Sequence, residues 1–190
     1  MSKKQPHPSA SSDPAAQFFK GPAAAAYDER NRKLAPISEN LHFLIRLILG
    51  DLPASARILC VGVGTGSEII KLAGVYPDWT FTGVDPSADM LAVCRARMAD
   101  ENLASRVELC HGHLADLPES EPYDAVLCLL VTQFVKDSRE RQAMFQGLAE
   151  RVKSQGYLIN AEISDDLESP KFLQLLEKWK GMIRLSGSTE

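Results

Sequence analysis

The chain opens polar and then settles into alternating apolar and helical blocks. Residues 1–16, "MSKKQPHPSASSDPAA", are polar and rich in Pro and Ser, so a disordered tail is expected there. Residues 17–55 read as an N-terminal helical cap, with helices expected around Asp13–Tyr27 and Ile37–Leu49. Strand and helix patterns then alternate through residues 56–190. "RILCVG", "WTFTGVD", "RVELCHG", "YDAVLCLL" and "GYLINAEI" are short apolar runs, the pattern of strands buried on both faces. Between them, helices are expected over Ser67–Val75, over Ser87–Met98 with Ser87 as N-cap, and over Asp137–Lys153. The third carries an apolar stripe at Met144, Phe145, Leu148 and Val152, and Gly156 reads as its stop. A last helix starts at Ser169 and Pro170, with Phe172, Leu176, Trp179 and Ile183 as its expected buried face.

This alternation predicts one α/β domain built on a doubly wound, mostly parallel sheet, with ligands at the carboxyl ends of its strands. Composition narrows the picture little. Hydrophobic residues make up 45% and charged residues 24%, as in ordinary globular domains. The net charge of -4 argues against a broad nucleic-acid surface. The most apolar helical run, Leu41–Leu49, is too short to span a bilayer and contains Arg46, so no membrane role is expected. Four cysteines occur without a CxxC pair; neither disulfides nor zinc is expected, and a cytoplasmic setting fits.

The chemistry concentrates in "ILCVGVGTGSE", Ile58–Glu68, where Gly62, Gly64 and Gly66 follow the first strand and open a helix. Such a loop lets backbone approach a nucleotide closely. Dinucleotide sites space the third glycine one residue later. Asp85 ends the second strand, where a carboxylate can accept from both ribose hydroxyls; the alternative is an acid at a helix N-terminus beside Ser87.

With "FTGVDPSADML", "VELCHGHLADLP" and "YDAVLCLLVTQFV" in the same order, the chain resembles the class I S-adenosylmethionine (SAM)-dependent methyltransferases over roughly Tyr27–Ile163. The resemblance implies a Rossmann-like class I methyltransferase fold with SAM as cofactor. It implies that Gly62, Val63 and Gly64 line the methionine half and that Asp85 binds the ribose. Pro86 would shape the turn and Met90 would lie beneath the nucleoside. Gly112-His113 stands where the family has Gly-Asp; a neutral imidazole can accept from adenine, and the Leu114 N–H can serve a ring nitrogen. For His113 the alternative is a loop histidine without a role. A metal at "HGH" is not expected.

Cys60 replaces the acid that the family commonly places near the SAM ammonium group. Carbonyls near Gly62 and Leu129 would then receive the ammonium, with Glu68 as the alternative acid; the favoured reading of Glu68 is a solvated first-turn residue. In the cap, Tyr27 would cover the methionine end and Arg32 would pair with its carboxylate, against an ordinary packed aromatic and an ordinary charged helix end. Thr132, Gln133 and Phe134 fall near the methyl-transfer end; the plainer reading is a strand-end turn with Phe134 in the core.

The reaction implied is in-line methyl transfer to a small-molecule acceptor, with no catalytic side chain identified. "TQFV" and "YDER" also resemble the carboxy-SAM synthases of tRNA wobble-uridine modification, although the arginine of that branch has no identified counterpart here. A third reading, favoured by Cys60 and His113, is a SAM-binding or interaction protein without catalysis. Full family members add two antiparallel strands after the last helix, and "GMIRLSGSTE" shows no strand pattern. The domain therefore reads as either truncated or naturally short, with the fifth strand an exposed edge that invites a homodimer or lowers stability.

Overall fold

A computed structural model describes residues 14–32, 35–163 and 169–185. Among the described residues, five strands form one all-parallel sheet in the order β3-β2-β1-β4-β5. They are β1 (Arg57–Val61), β2 (Thr80–Asp85), β3 (Val107–His111), β4 (Tyr123–Leu129) and β5 (Val152–Ala161). The helices are α1 (Pro14–Phe18), α2 (Pro22–Ala25), α3 (Tyr27–Asn31), α4 (Ala35–Ile48), α5 (Ser67–Ala73), α6 (Ala88–Asp100), α7 (Ser138–Glu150) and α8 (Pro170–Leu185). The predicted alternation and the doubly wound parallel sheet are therefore present.

The sheet separates two cores because side chains alternate along each strand. Ile58, Cys60, Phe81, Ala125 and Leu127 face Ile45 of α4 and Leu49 just after it, Ile69 and Leu72 of α5, and Leu91 and Met98 of α6. Leu59, Val61, Val126 and Cys128 face Leu114, Leu117 and Leu148 on the other side. Each fully buried Leu or Ile contributes on the order of 2 kcal/mol. Trp79 is 1% exposed, stacks on Tyr76 with ring centroids 3.7 Å apart, and donates its indole N–H to Pro53 O at 2.9 Å.

Three expectations fail. Asp13–Tyr27 is not one helix: α1, α2 and α3 are separate, broken where Gly21 takes φ 51° ahead of Pro22. Proline removes an N–H and clashes with the preceding turn, so a helix restarts there instead of running through. Of the expected tail, residues 1–13 lie outside the described residues, and Pro14 already begins α1. Second, α7 ends at Glu150 and β5 starts at Val152, so Lys153 and Gly156 are strand residues. Gln155 takes φ 69° where the β4–β5 register shifts between Tyr123 and Ala125, which marks a bulge. Third, α8 buries none of its expected face fully: Phe172 and Leu176 are half-buried, and Trp179 is 38% exposed. The Ile183 side chain lies outside the described ones. β5 pairs only with β4 among the described residues, and Leu158 on it faces out.

Candidate functional site

The glycine loop bridges β1 and α5. Its shape is set by hydrogen bonds to the neighbouring strand: Gly62 and Val63 both donate to Val84 O, at 2.8 and 3.2 Å. Gly62 has φ 69°, and a Cβ there would lie 2.2 Å from Val131 Cγ2. Gly66 has φ 78°, and a Cβ there would lie 2.6 Å from Cys94 Sγ. Glycine is thus required twice over, by backbone angle and by space. Beneath Gly64 lies the buried Met90, whose Cε would sit 3.3 Å from an added Cβ.

Asp85 is 8% exposed and holds the loop to the next element. Its Oδ2 accepts from Gly64 N–H and its Oδ1 from Ser87 N–H, both at 2.8 Å. Charge-assisted bonds of this kind are stronger than neutral ones. Ser87 caps α6 as expected: its hydroxyl accepts from Met90 N–H at 3.3 Å and donates to Phe19 O at 2.8 Å. Pro86 O lies 3.0 Å from His111 Nε2, which ties the end of β3 to the β2–α6 turn.

The cap docks on this loop through contacts the sequence did not announce. Thr65 Oγ1 donates to Asp28 Oδ1 at 2.8 Å. Arg97 of α6 reaches Thr65 O, Thr65 Oγ1 and Ser67 Oγ at 2.9–3.1 Å, and pairs with Asp28 at 3.0 Å. Gly21 N–H donates to Asp89 Oδ2 at 2.7 Å. These partners are 30–70 residues apart in sequence, so no local pattern could reveal them. Tyr27 is half-buried and meets Phe19 edge-on at 5.7 Å. Burial pushes its hydroxyl pKa up, and the Asp28 and Glu68 carboxylates add to that. Arg32 stays at the surface and pairs with Glu29 at 3.0 Å, so its geometry is that of an ordinary charged helix end.

His113 precedes the 3-10 turn Leu114–Asp116. Its side chain accepts from Asp116 N–H, and Asp116 Oδ2 accepts from His113 N–H at 2.8 Å. His111 and His113 therefore serve separate local bonds. Leu114 is buried in the second core.

Beyond Leu129, the chain turns sharply at Leu130, φ 59°, whose N–H donates to Ala161 O at 2.6 Å. Thr132 is fully buried and donates to Glu162, with Asn160 Oδ1 3.1 Å away. Arg141 donates to both Glu162 oxygens and, at 2.6 Å, to Thr132 O. Hydrogen bonds from Thr132 and Arg141 hold the Glu162 carboxyl below its ordinary pKa. Gln133 Oε1 accepts from Ile163 N–H at 2.9 Å. Phe134 is not in the core: it is 47% exposed and meets Phe19 edge-on at 6.1 Å, so it joins the cap instead.

Glu68 is also not the solvated acid expected. It is half-buried, and burial first, then the Asp85 carboxylate, pushes its pKa up to about 7. The buried thiols are inert: burial pushes Cys94 and Cys128 up to about 12, and Cys60 well above the ordinary thiol value. A cavity lined by Asp51, Asp124, Lys153 and Tyr157 lies at the amino ends of β1, β4 and β5, away from the loop. No helix among the described residues is long and apolar enough to cross a membrane.

Residues 58–156, over half of the chain, match the methyltransferase domain family. A carboxy-S-adenosyl-L-methionine synthase from Methylococcus capsulatus is 34% identical over 133 residues, covering 67% of this chain and 55% of the relative. A malonyl-[acyl-carrier protein] O-methyltransferase from Magnetococcus marinus is 27% identical, covering 75% of this chain and 48% of the relative. The SAM-bound structure of an amino pentose methyltransferase from Micromonospora echinaspora superposes with a TM-score of 0.59 at 24% identity, covering 73% of this chain and 56% of that one. The chain thus spans about half the length of these three proteins. Sequence match, strand order and glycine loop agree: the chain belongs to the methyltransferase domain family and carries the class I SAM-dependent methyltransferase fold.

Proposed function

We propose that this protein is a SAM-dependent methyltransferase that acts on a small-molecule acceptor by in-line displacement. The observation that carries this reading is the cradle of Gly62, Gly64 and Asp85, in which a buried carboxylate holds the loop backbone. Asp85 would hold the ribose hydroxyls, since a carboxylate accepts about four hydrogen bonds. Gly62–Gly64 would face the methionine half, with Met90 beneath the nucleoside. Pro86 would shape the turn, and the Leu114 backbone and His113 would flank adenine. Tyr27 would cover the methionine end, with the carbonyl of Leu129 nearby. Arg32 would pair with the methionine carboxylate only by leaving its surface partner Glu29.

When bound, SAM supplies a methyl group activated by a positively charged sulfur. The chain's own work is to hold both reactants in line and to exclude water. Phe19, Tyr27 and Phe134 form the apolar wall for that purpose. The Thr132–Glu162–Arg141 bonds fix the turn that carries Phe134. A general base is needed only for acceptors that must lose a proton before attack.

A second reading, a carboxy-SAM synthase-like activity, is favoured by the relative from Methylococcus. Equilibrium dialysis with methyl-labelled SAM tests the first reading, with retention by the wild type expected; no retention would sink it. Mass spectrometry of the co-purified nucleoside separates the two, since a carboxylated sulfonium is heavier than SAM. The net charge of -4 favours a small acceptor over nucleic acid, and four free cysteines suit a reducing cytoplasm. The β5 edge, which has no partner besides β4 among the described residues, supports a homodimer, for which sedimentation velocity at micromolar concentration should show a second species.

A further inference from the structure

Helix α4 turns one face inward and leaves a second apolar face bare. Ile45, and Leu49 just after the helix, are buried in the first core. Ile37, Phe43, Leu44, Leu47 and Ile48 point outward, each between 46% and 62% exposed. At about 100° per residue, these five fall within an arc of about 140° and form one stripe. Single exposed hydrophobics are ordinary on a protein surface; a continuous stripe of large ones marks a contact surface. Glu39 and Arg46 edge this stripe, two turns apart on the same flank. Glu39 is exposed, Arg46 is half-buried, and among the described residues neither has an ion-pair partner. Arg46 leans toward the stripe: its guanidinium lies 5.8 Å from the Phe43 ring centre, and its Nε is buried without an acceptor. A guanidinium so placed is stabilised by a carboxylate brought from outside.

Symmetry points to the occupant. A two-fold axis crossing α4 between positions 42 and 43 lays a second α4 antiparallel on the first. That one operation sets Glu39 opposite Arg46 of the second copy and Ile37 opposite Ile48 of the second copy. Leu44 then meets the half-buried Leu41 of the second copy, and the two Phe43 rings meet at the axis. Both charges are answered in the register that covers the stripe, as a self-complementary interface requires. A membrane surface fits less well, because it favours a polar face rich in Lys and Arg, and this flank carries one charge of each sign. We propose that the exposed face of α4 docks a second copy of this chain, antiparallel, with Glu39 against Arg46. One face of a 14-residue helix offers less than the roughly 800 Å² per partner of a standard interface, so the dimer should exchange with monomer in the micromolar range. This surface is distinct from the β5 edge, and the inference does not rest on the SAM reading.

Sedimentation equilibrium of the full chain, loaded from a few to a few hundred micromolar, tests this. The wild type should pass from monomer to dimer across that range. Leu44→Lys, in the exposed stripe, should stay monomeric throughout. Glu39→Arg sets like charges opposite each other twice per dimer and should weaken association about tenfold, as should Arg46→Glu. The double variant Glu39→Arg with Arg46→Glu should return to within about threefold of the wild type, a rescue that neither a folding defect nor an unspecific apolar patch produces. Leu158→Lys, on the β5 edge, should leave the dimer unchanged. A wild type that stays monomeric at every concentration would overturn the proposal, as would a dimer that persists in Leu44→Lys. A double variant no stronger than its parents would overturn the antiparallel pairing. A dimer lost in Leu158→Lys but intact in Glu39→Arg would give the interface to the β5 edge instead.

Discussion

The carboxyl edge of the sheet has two unlike halves. Around β1 and β2, backbone N–H groups converge on a nearly buried carboxylate, and the contacts are between residues close to the strand ends. Around β4 and β5, side chains bond to side chains, and apolar groups face outward, with Ile163 60% exposed. On the function proposed above, the first half would hold the cofactor by its polar skeleton. The second, built from exchangeable side chains, would face the acceptor. A fold that keeps one cofactor while changing acceptors needs this division.

Substitutions can break or sharpen that contrast. The largest effect is expected for Gly62→Ala. A left-handed alanine and a Cβ overlapping Val131 should together cost about 3 kcal/mol in chemical denaturation and abolish SAM retention. Asp85→Ala comes next: it frees two N–H groups and should weaken SAM binding about thirtyfold in equilibrium dialysis, about 2 kcal/mol.

A pH effect follows from Glu68. Its folded pKa is raised from 4.5 to about 7, so between those values the unfolded chain has lost a proton that the folded chain keeps. Stability without ligand, read from urea midpoints, should therefore fall as pH rises from about 4.5 to 7 and level off above. Glu68→Gln should flatten that slope. The smallest effect is expected on the other half. Arg141→Ala removes the guanidinium from Glu162 and should lower Tm by a few degrees. It should slow methyl transfer while leaving SAM affinity within about twofold. A large loss of SAM affinity in Arg141→Ala would show that the two halves are not independent.

The same division explains what could be read from the sequence. Strands β1, β2 and β4 were legible because parallel strands buried on both faces must be apolar throughout. Gly62 and Gly66 were legible because their positive φ angles depend on backbone shape in a short loop; the bonds that Asp85 accepts from Gly64 and Ser87 were not, because they form only once the loop folds against β2. Arg97 and Asp28 were not: each is an ordinary helix charge until α6 and the cap come together at Thr65. Glu68 looked solvated because a first-turn acid usually is, whereas the fold leaves it half-buried. The start of β5 was missed because "VKSQG" is polar and continues the preceding helical pattern, whereas the bulge at Gln155 lets it serve as an edge strand. Phe134 was misplaced because its aromatic partner, Phe19, belongs to the cap.

The two tryptophans fall on opposite sides of this contrast. Trp79 is sealed and stacked on Tyr76, while Trp179 lies on the loosely covered α8. Their fluorescence should separate into a blue component that an aqueous quencher reaches only on global unfolding and a red component that it reaches at once. Covering α8, by a second chain or by an acceptor, should shield the red component and leave the blue one unchanged. The protein thus carries its own optical gauge of what its exposed helix meets.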